Sequence, residues 1–252
     1  MKVINVLLVV LIIAGNVSAQ NGKGYEIMKK NDELKEPKDV SFDGFLEITN
    51  KRGNIKKRSM KVLSKKQPAG YNSFFEILEP ADVSGMKFLT IAQKGDDDQR
   101  MYLPAYGKSR KISGSGKDGK FLGSDIFFYD LEDLDLEDFT YKFMKEETWE
   151  GNDYYVVESY PIDKKAPYSK VINWVRKSDY YIYKAEMYDK KQQILLKTAI
   201  VKETMIIEGI IEAINTQTIN HKDKSSTTYL ITDIKINTGV DDKVFTIQNL
   251  EN

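Results

Sequence analysis

The run Phe42-Asp43-Gly44-Phe45-Leu46-Glu47-Ile48-Thr49 sets Phe42, Gly44, Leu46 and Ile48 on one side of an extended chain and Asp43, Glu47 and Thr49 on the other. Successive side chains of an extended backbone point to opposite faces, so this period of two is the signature of a strand with one buried face. Similar runs near 56–64, 71–78 and 86–93 are separated by turn chemistry at Arg52-Gly53-Asn54 and Pro68-Ala69-Gly70, and together they read as an antiparallel meander. Strand patterns resume near 139–147, 153–160, 170–176, 180–188, 194–202, 205–213, 216–221 and 227–236, with Gly151-Asn152-Asp153 and Ser178-Asp179 as tight connections. About a dozen strands at such short spacing predict a mainly β protein built on one large curved sheet or barrel. No internal repeat, low-complexity linker or Pro-rich boundary divides the chain, so a single domain is expected.

Two segments depart from this alternation. Tyr25, Met28 and Leu34 lie among charged residues in a weak helical pattern that stops before Pro37, which predicts a short amphipathic helix within 22–36. Between Gly114 and Asp138 the strand signal lapses, and an acidic stretch with Leu131, Leu134 and Leu136 predicts a short helix or turn within 122–137.

The N-terminus has the layout of a secretory signal peptide: Lys2, an apolar run from Val6 to Ala14, then Val17-Ser18-Ala19 as a small-residue cleavage site. Cleavage after Ala19 gives a signal at 1–19, a mature domain at 20–252 beginning with Gln20, and a periplasmic location. A membrane anchor is disfavoured because a spanning helix needs about 20 apolar residues and Asn16 interrupts this run well before that length. The chain has no cysteine, so it carries neither a disulfide nor an acylated N-terminal Cys, and its core must be stabilised by burial alone.

Lys+Arg and Asp+Glu are equal at 38 each, although charged residues make up 30% of the chain. Without a basic excess there is no electrostatic case for nucleic acid as a partner. Local clusters such as Lys56-Lys57-Arg58 and Lys164-Lys165 read as solvated strand ends and turns. The 15 Tyr and 11 Phe favour strands and can line an apolar cavity.

The candidate chemical motifs fail on context. Gly114-Ser115-Gly116-Lys117-Asp118-Gly119 satisfies G-x-G-x-x-G, but no helix opens after it and no βαβ unit surrounds it, so it reads as a flexible hairpin loop. His221 is the single histidine and lies in a polar hairpin tip, which leaves His/Cys metal sites and Cys/His nucleophile pairs without residues. Asp96-Asp97-Asp98 and the 130–135 carboxylates lack the glycine and terminal glutamate of a Ca²⁺ loop. Nothing singles out one carboxylate pair for glycoside hydrolysis among 38 acidic residues. No catalytic residue, metal or cofactor is therefore assigned, and an enzyme is not expected. Phe121, Leu122, Ile126, Phe127, Phe128 and Tyr129 form a segment too irregular for a strand, with Gly123 and Ser124 allowing a sharp bend. It has two readings, a loop packed into the core that closes one end of the sheet, or a lid over an apolar cavity.

The segment from Met101-Tyr102-Leu103-Pro104-Ala105 through Arg110-Lys111-Ile112 to Phe121-Leu122-Gly123-Ser124-Asp125 and Tyr129-Asp130-Leu131 resembles the LolA-like outer-membrane lipoprotein-sorting proteins. Gly85-Met86-Lys87-Phe88-Leu89, Trp174-Val175-Arg176-Lys177 with Tyr180-Tyr181, Ala185-Glu186-Met187-Tyr188-Asp189, and Asp241-Asp242-Lys243-Val244-Phe245-Thr246 through Leu250 are similar to the same family in the same order. The resemblance implies an incomplete antiparallel β-barrel of the LolA/LolB type, with a few short helices covering its concave face. It also implies a non-catalytic periplasmic carrier that holds the acyl chains of a lipid or lipoprotein and moves them across the envelope. An inner-membrane exporter and an outer-membrane acceptor would be its partners. The polar residues that work inside the barrel of LolA carriers have no assigned counterpart at Arg100, Arg110 or elsewhere, so the cargo stays open. The alternative is an envelope sensor module of the same fold that binds a protein partner. By alternation, Phe42, Leu46, Phe75, Phe88, Leu103 and Trp174 point inward and line the cleft, and the 121–129 loop borders its mouth.

Overall fold

The computed structural model describes residues 22–252, and the expected signal segment at 1–19 lies outside them. After helix α1 (Lys23–Asp32) the chain lays down β1 (Asp39–Thr49), β2 (Ile55–Gln67), β3 (Gly70–Glu79), β4 (Lys87–Ile91), β5 (Asp98–Leu103) and β6 (Lys108–Ile112). A connection without strands leads to β7 (Phe139–Trp149), β8 (Asn152–Pro161), β9 (Tyr168–Arg176), β10 (Ile182–Asp189), β11 (Leu195–Ile207), β12 (Ile210–Asn220) and β13 (Ser225–Ile236). Helix α2 (Ile247–Glu251) follows.

All thirteen strands form one sheet in the order β6-β5-β4-β3-β2-β1-β13-β12-β11-β10-β9-β8-β7. Each neighbouring pair is antiparallel, as expected where short turns join successive strands. The meander is broken once. β1 closes against β13, so the two free edges, β6 and β7, are consecutive in the chain, and residues 113–138 must run from one edge of the sheet to the other. This is the incomplete barrel the family resemblance implies.

The register defines the faces. Leu46 stands beside Tyr229 and Tyr229 beside Thr216. Two residues further along β12, Thr218 stands beside Ala199, which neighbours Ala185, then Asn173, then Val157. These residues share the inner face, and α1 packs on it through Ile27 and Met28 against Tyr141, Val157 and Val175. Gly24 permits this docking: a Cβ there would stand 2.7 Å from the backbone nitrogen of Phe143. On the outer face, Phe74 and Leu89 are covered by Phe245 and Leu250 from the C-terminal segment.

Three local expectations change. The runs at 194–202, 205–213 and 216–221 are two long strands, β11 and β12, joined at Glu208-Gly209, where φ is +50° and +78°. A two-residue turn with both φ values positive matches the twist of the flanking strands, and the single Gly209 is its only mark in the sequence. The Gly114–Asp118 segment is a 3₁₀ turn that opens the crossing connection; it is not a hairpin between neighbouring strands. The helix expected within 122–137 is a series of 3₁₀ turns at Phe121–Gly123, Phe128–Leu131 and Leu136–Asp138, because the segment is held by tertiary contacts rather than by its own helical ladder.

Candidate functional site

The crossing connection fills part of the concave face. Phe121 and Phe88 are 2% and 0% exposed, and the rings of Phe75, Phe88 and Phe121 meet at centroid distances of 5.4–5.6 Å, the range of tilted and edge-to-face aromatic packing. Leu46, Ile48, Met60, Val62, Ile77 and Met101 complete this cluster, with Phe42, Leu103, Leu122, Ile126, Phe128 and Leu131 among the residues packed against it. Phe127 and Tyr129 turn to the other half of the sheet and pack on Tyr168 and Leu196.

Polar residues of the same segment bind it to the strands. Asp125 accepts hydrogen bonds from Ser225 Oγ at 2.7 Å and Thr227 Oγ1 at 3.0 Å, and its own amide donates to Thr227 Oγ1 at 2.9 Å. Asp130 accepts from Tyr168 Oη at 2.6 Å, from the Phe127 amide at 2.8 Å and from Lys197 Nζ at 2.6 Å. Lys197, on the inner face of β11, has a fully buried side chain, donates to the Asp125 carbonyl at 3.0 Å and lies 3.5 Å from the Phe127 ring centroid. Burial pulls its pKa below the ordinary lysine value against the opposing pull of Asp130. A buried cation between two backbone-anchored groups fixes the position of the segment as well as its depth.

Beside this plug the concave face is open. A cavity of about 1190 Å³ lies between the end of α1, the inner faces of β1–β3, the 130–135 stretch and the β11–β12 turn. Its volume exceeds the roughly 300–1,000 Å³ of ordinary small-molecule sites and suits an extended ligand. Val40, Phe75, Leu131, Tyr181, Ile210 and Ile211 give it apolar wall; Asp32, Glu36, Lys66, Asp133 and Glu212 make it polar towards the rim. Gly70 brings the β2–β3 turn against this rim at φ +124°, and its Cβ position would stand 2.7 Å from Asp133 Oδ2. Asp133 in turn accepts from the Tyr71 amide at 2.7 Å, and Tyr71 Oη donates to the Pro37 carbonyl.

The rim carboxylates are not equivalent. Glu36 is ion-paired with Lys66, whereas burial pushes the pKa of Asp32, Asp133 and Glu212 above the ordinary carboxylate values, with nearby carboxylates adding to the shift. Deeper in the connection, Glu132 pairs with Lys117 at 2.5 Å, and Asp96 with Lys117 at 3.4 Å and Lys165 at 3.0 Å. Asp98 pairs with Arg100 and Lys111, both at 3.2 Å. The carboxylates considered for Ca²⁺ at 96, 98, 130 and 132 thus have lysine or arginine partners. His221 is exposed at the β12–β13 turn, 2.8 Å from Thr198 Oγ1.

The structure brings Phe42, Leu46, Phe75, Phe88 and Leu103 together, in the filled half of the concave face beneath Phe121 and Phe128. Of these, Phe75 also lines the open cavity. Trp174 does not join them. It neighbours Asn173 of the inner face in sequence and so projects from the outer face, where it packs with Tyr154, Val156, Ile172 and Tyr183. Its assignment as an inward residue is corrected by the register, which alternation within one strand cannot supply. Sequence reasoning missed Leu131, Tyr181, Ile210 and Ile211 as cavity wall, since their shared position depends on how the crossing connection and the β11–β12 turn meet.

Several known proteins share this architecture. The model of a family described as "Uncharacterized protein" matches residues 70–252. An outer membrane lipoprotein-sorting protein domain from Vibrio parahaemolyticus superposes with a TM-score of 0.86 at 29% identity, over 91% of this chain and 99% of its own. A DUF1329 family protein from Desulfovibrio piger gives a TM-score of 0.86 at 30% identity, over 90% of this chain and 97% of its own. A LolA superfamily protein from Nitrosomonas europaea gives 0.71 at 25% identity, over 88% and 97%. No curated protein matches the chain.

Proposed function

The chain belongs to the LolA-like outer-membrane lipoprotein-sorting family, with a DUF1329 protein among its relatives, and from that premise we propose that it is a periplasmic carrier for the acyl chains of a lipid or lipoprotein. The observation that carries this reading is the open cavity of about 1190 Å³ on the concave face, between an aromatic plug and the docked helix α1. Each methylene moved from water into such a space contributes roughly 0.8 kcal/mol, so one or two acyl chains are held through water without any covalent step. In this reading residues 1–19 direct export, the mature chain begins at Gln20, and the cavity receives cargo from an inner-membrane exporter and yields it to an outer-membrane acceptor. The protein performs no catalysis.

Leu131 and Phe75 form the boundary between plug and cavity, so cargo entry and the packing of the plug are coupled at these two side chains. Titration of the mature protein with a fluorescent fatty acid tests the reading. Saturable binding is expected, weakened at least tenfold by Ile211→Lys, which sets a charge on the half-buried cavity wall while the fold is retained. Absence of saturable binding to the wild-type protein would favour the alternative, a module of the same fold that binds a protein partner.

A further inference from the structure

The equal numbers of acidic and basic residues conceal a strong local imbalance at one rim of the sheet. The β1–β2, β12–β13 and β10–β11 turns lie at the same end of consecutive strands, in the order β2-β1-β13-β12-β11-β10. Thr49 pairs with both Ile55 and Ser226, Asn220 pairs with Ser225, and the His221 amide donates to the Leu196 carbonyl at 2.9 Å, which steps the three turns along one edge. These turns carry Lys51, Arg52, Lys190, Lys191, Lys222 and Lys224, and the first residues of β2 add Lys56, Lys57 and Arg58, against Glu47, Asp189 and Asp223.

Few of these charges are neutralised. Lys57 pairs with Glu47 at 3.2 Å; among the described residues the other eight cations form no ion pair. Asp223 is engaged by Lys120 at 2.8 Å, and Asp189 accepts the Lys191 and Gln192 amides within its own turn, so the carboxylates at the rim are already committed. Two isoleucines stand among the cations, Ile55 at 54% exposure and Ile194 at 48%.

We propose that this rim docks on an anionic phospholipid bilayer. Closely spaced lysines and arginines are attracted by anionic headgroups, and the attraction falls off within a Debye length of about 8 Å, so only turns that reach the surface together contribute. The exposed isoleucines favour a bilayer over an acidic protein, since apolar side chains flanked by cations suit the headgroup boundary. The β2–β3 and β11–β12 turns, which border the cavity, lie at the opposite ends of β2, β11 and β12, so docking by the rim leaves the cavity entrance clear of the surface. The inference does not depend on the cavity binding acyl chains.

Co-sedimentation of the mature protein with vesicles tests it. Binding to vesicles of phosphatidylcholine containing phosphatidylglycerol should be at least tenfold tighter than to phosphatidylcholine alone, and the Arg52→Glu/Lys222→Glu/Lys224→Glu variant should lose at least tenfold. Lys202→Glu/Lys235→Glu, which reverses exposed charges elsewhere on the sheet, should stay within twofold of wild type. Equal binding to both vesicle types, no binding to anionic vesicles at low salt, or an unaffected rim variant would each overturn the proposal. If the rim variant does not fold, the salt dependence of the wild-type protein decides: binding must fall steeply as salt rises, and binding that withstands high salt would overturn it.

Discussion

Replacing Lys197 by Met should loosen the plug from the barrel, and the structure sets the size of the effect. The lysine side chain is fully buried, with its ammonium 2.6 Å from Asp130 Oδ2 and 3.0 Å from the Asp125 carbonyl. Removing one member of a buried pair costs about 3–5 kcal/mol where the other charge is left uncompensated. Here the stranded Asp130 keeps the Tyr168 hydroxyl at 2.6 Å and the Phe127 amide at 2.8 Å, and its side chain is 22% exposed, so the charge contribution drops to about 2 kcal/mol. Loss of the donor to the Asp125 carbonyl adds about 1 kcal/mol, and methionine conserves enough volume to avoid a large cavity. The total is about 3 kcal/mol, read by urea unfolding followed by circular dichroism and tryptophan fluorescence. Adding Asp130→Asn in the Lys197→Met background removes the stranded charge while keeping an acceptor, and should restore about 1 kcal/mol. Additive effects of the two substitutions, or a Lys197→Met cost below about 0.5 kcal/mol, would refute the view that this pair anchors the plug.

Further outcomes follow from the same geometry. Phe88 is fully buried in the filled half of the concave face, so Phe88→Ala should cost about 3–5 kcal/mol and a charge at this position should unfold the protein, as read by thermal melting. Burial raises the pKa values of Asp32, Asp133 and Glu212, so each holds its proton more tightly folded than unfolded; their favourable contribution is complete below the ordinary values of 3.8 and 4.5 and is lost as pH rises through the raised ones. Glu212→Gln should therefore raise the melting temperature near neutral pH and leave it unchanged at about pH 3.5; an equal gap at both pH values would contradict the assignment. Gly70→Ala should destabilise by about 1–2 kcal/mol, because the turn needs φ +124° and the added carbon meets Asp133, and equilibrium unfolding measures this directly.

The strands were legible because alternation is a local property: the Phe42–Thr49 run and its successors appear as β strands close to their expected limits. The β11–β12 boundary was not, since Glu208-Gly209 carries one weak turn signal inside a long β-branched run. The aromatic segment was recognised as special, yet the residues that hold it, Asp125, Asp130 and Lys197, read in sequence as ordinary charges. Lys197 lies about 70 residues from its partners and gains meaning only when β11 and the crossing connection meet. For the same reason the cavity wall at Leu131, Tyr181, Ile210 and Ile211 is hidden in the sequence, while Phe42, Leu46, Phe75, Phe88 and Leu103 meet in one apolar cluster, of which Phe75 alone reaches the cavity. Trp174 failed because one strand's alternation fixes which residues share a face and leaves open which face is inside.

Native mass spectrometry of the protein purified from its own cell envelope tests the carrier account most directly. The account predicts adducts whose masses, after lipid extraction, correspond to acyl-bearing molecules, and their loss from the Ile211→Lys variant. A wild-type protein that carries no acyl ligand under these conditions, or adducts retained unchanged by that variant, would contradict it.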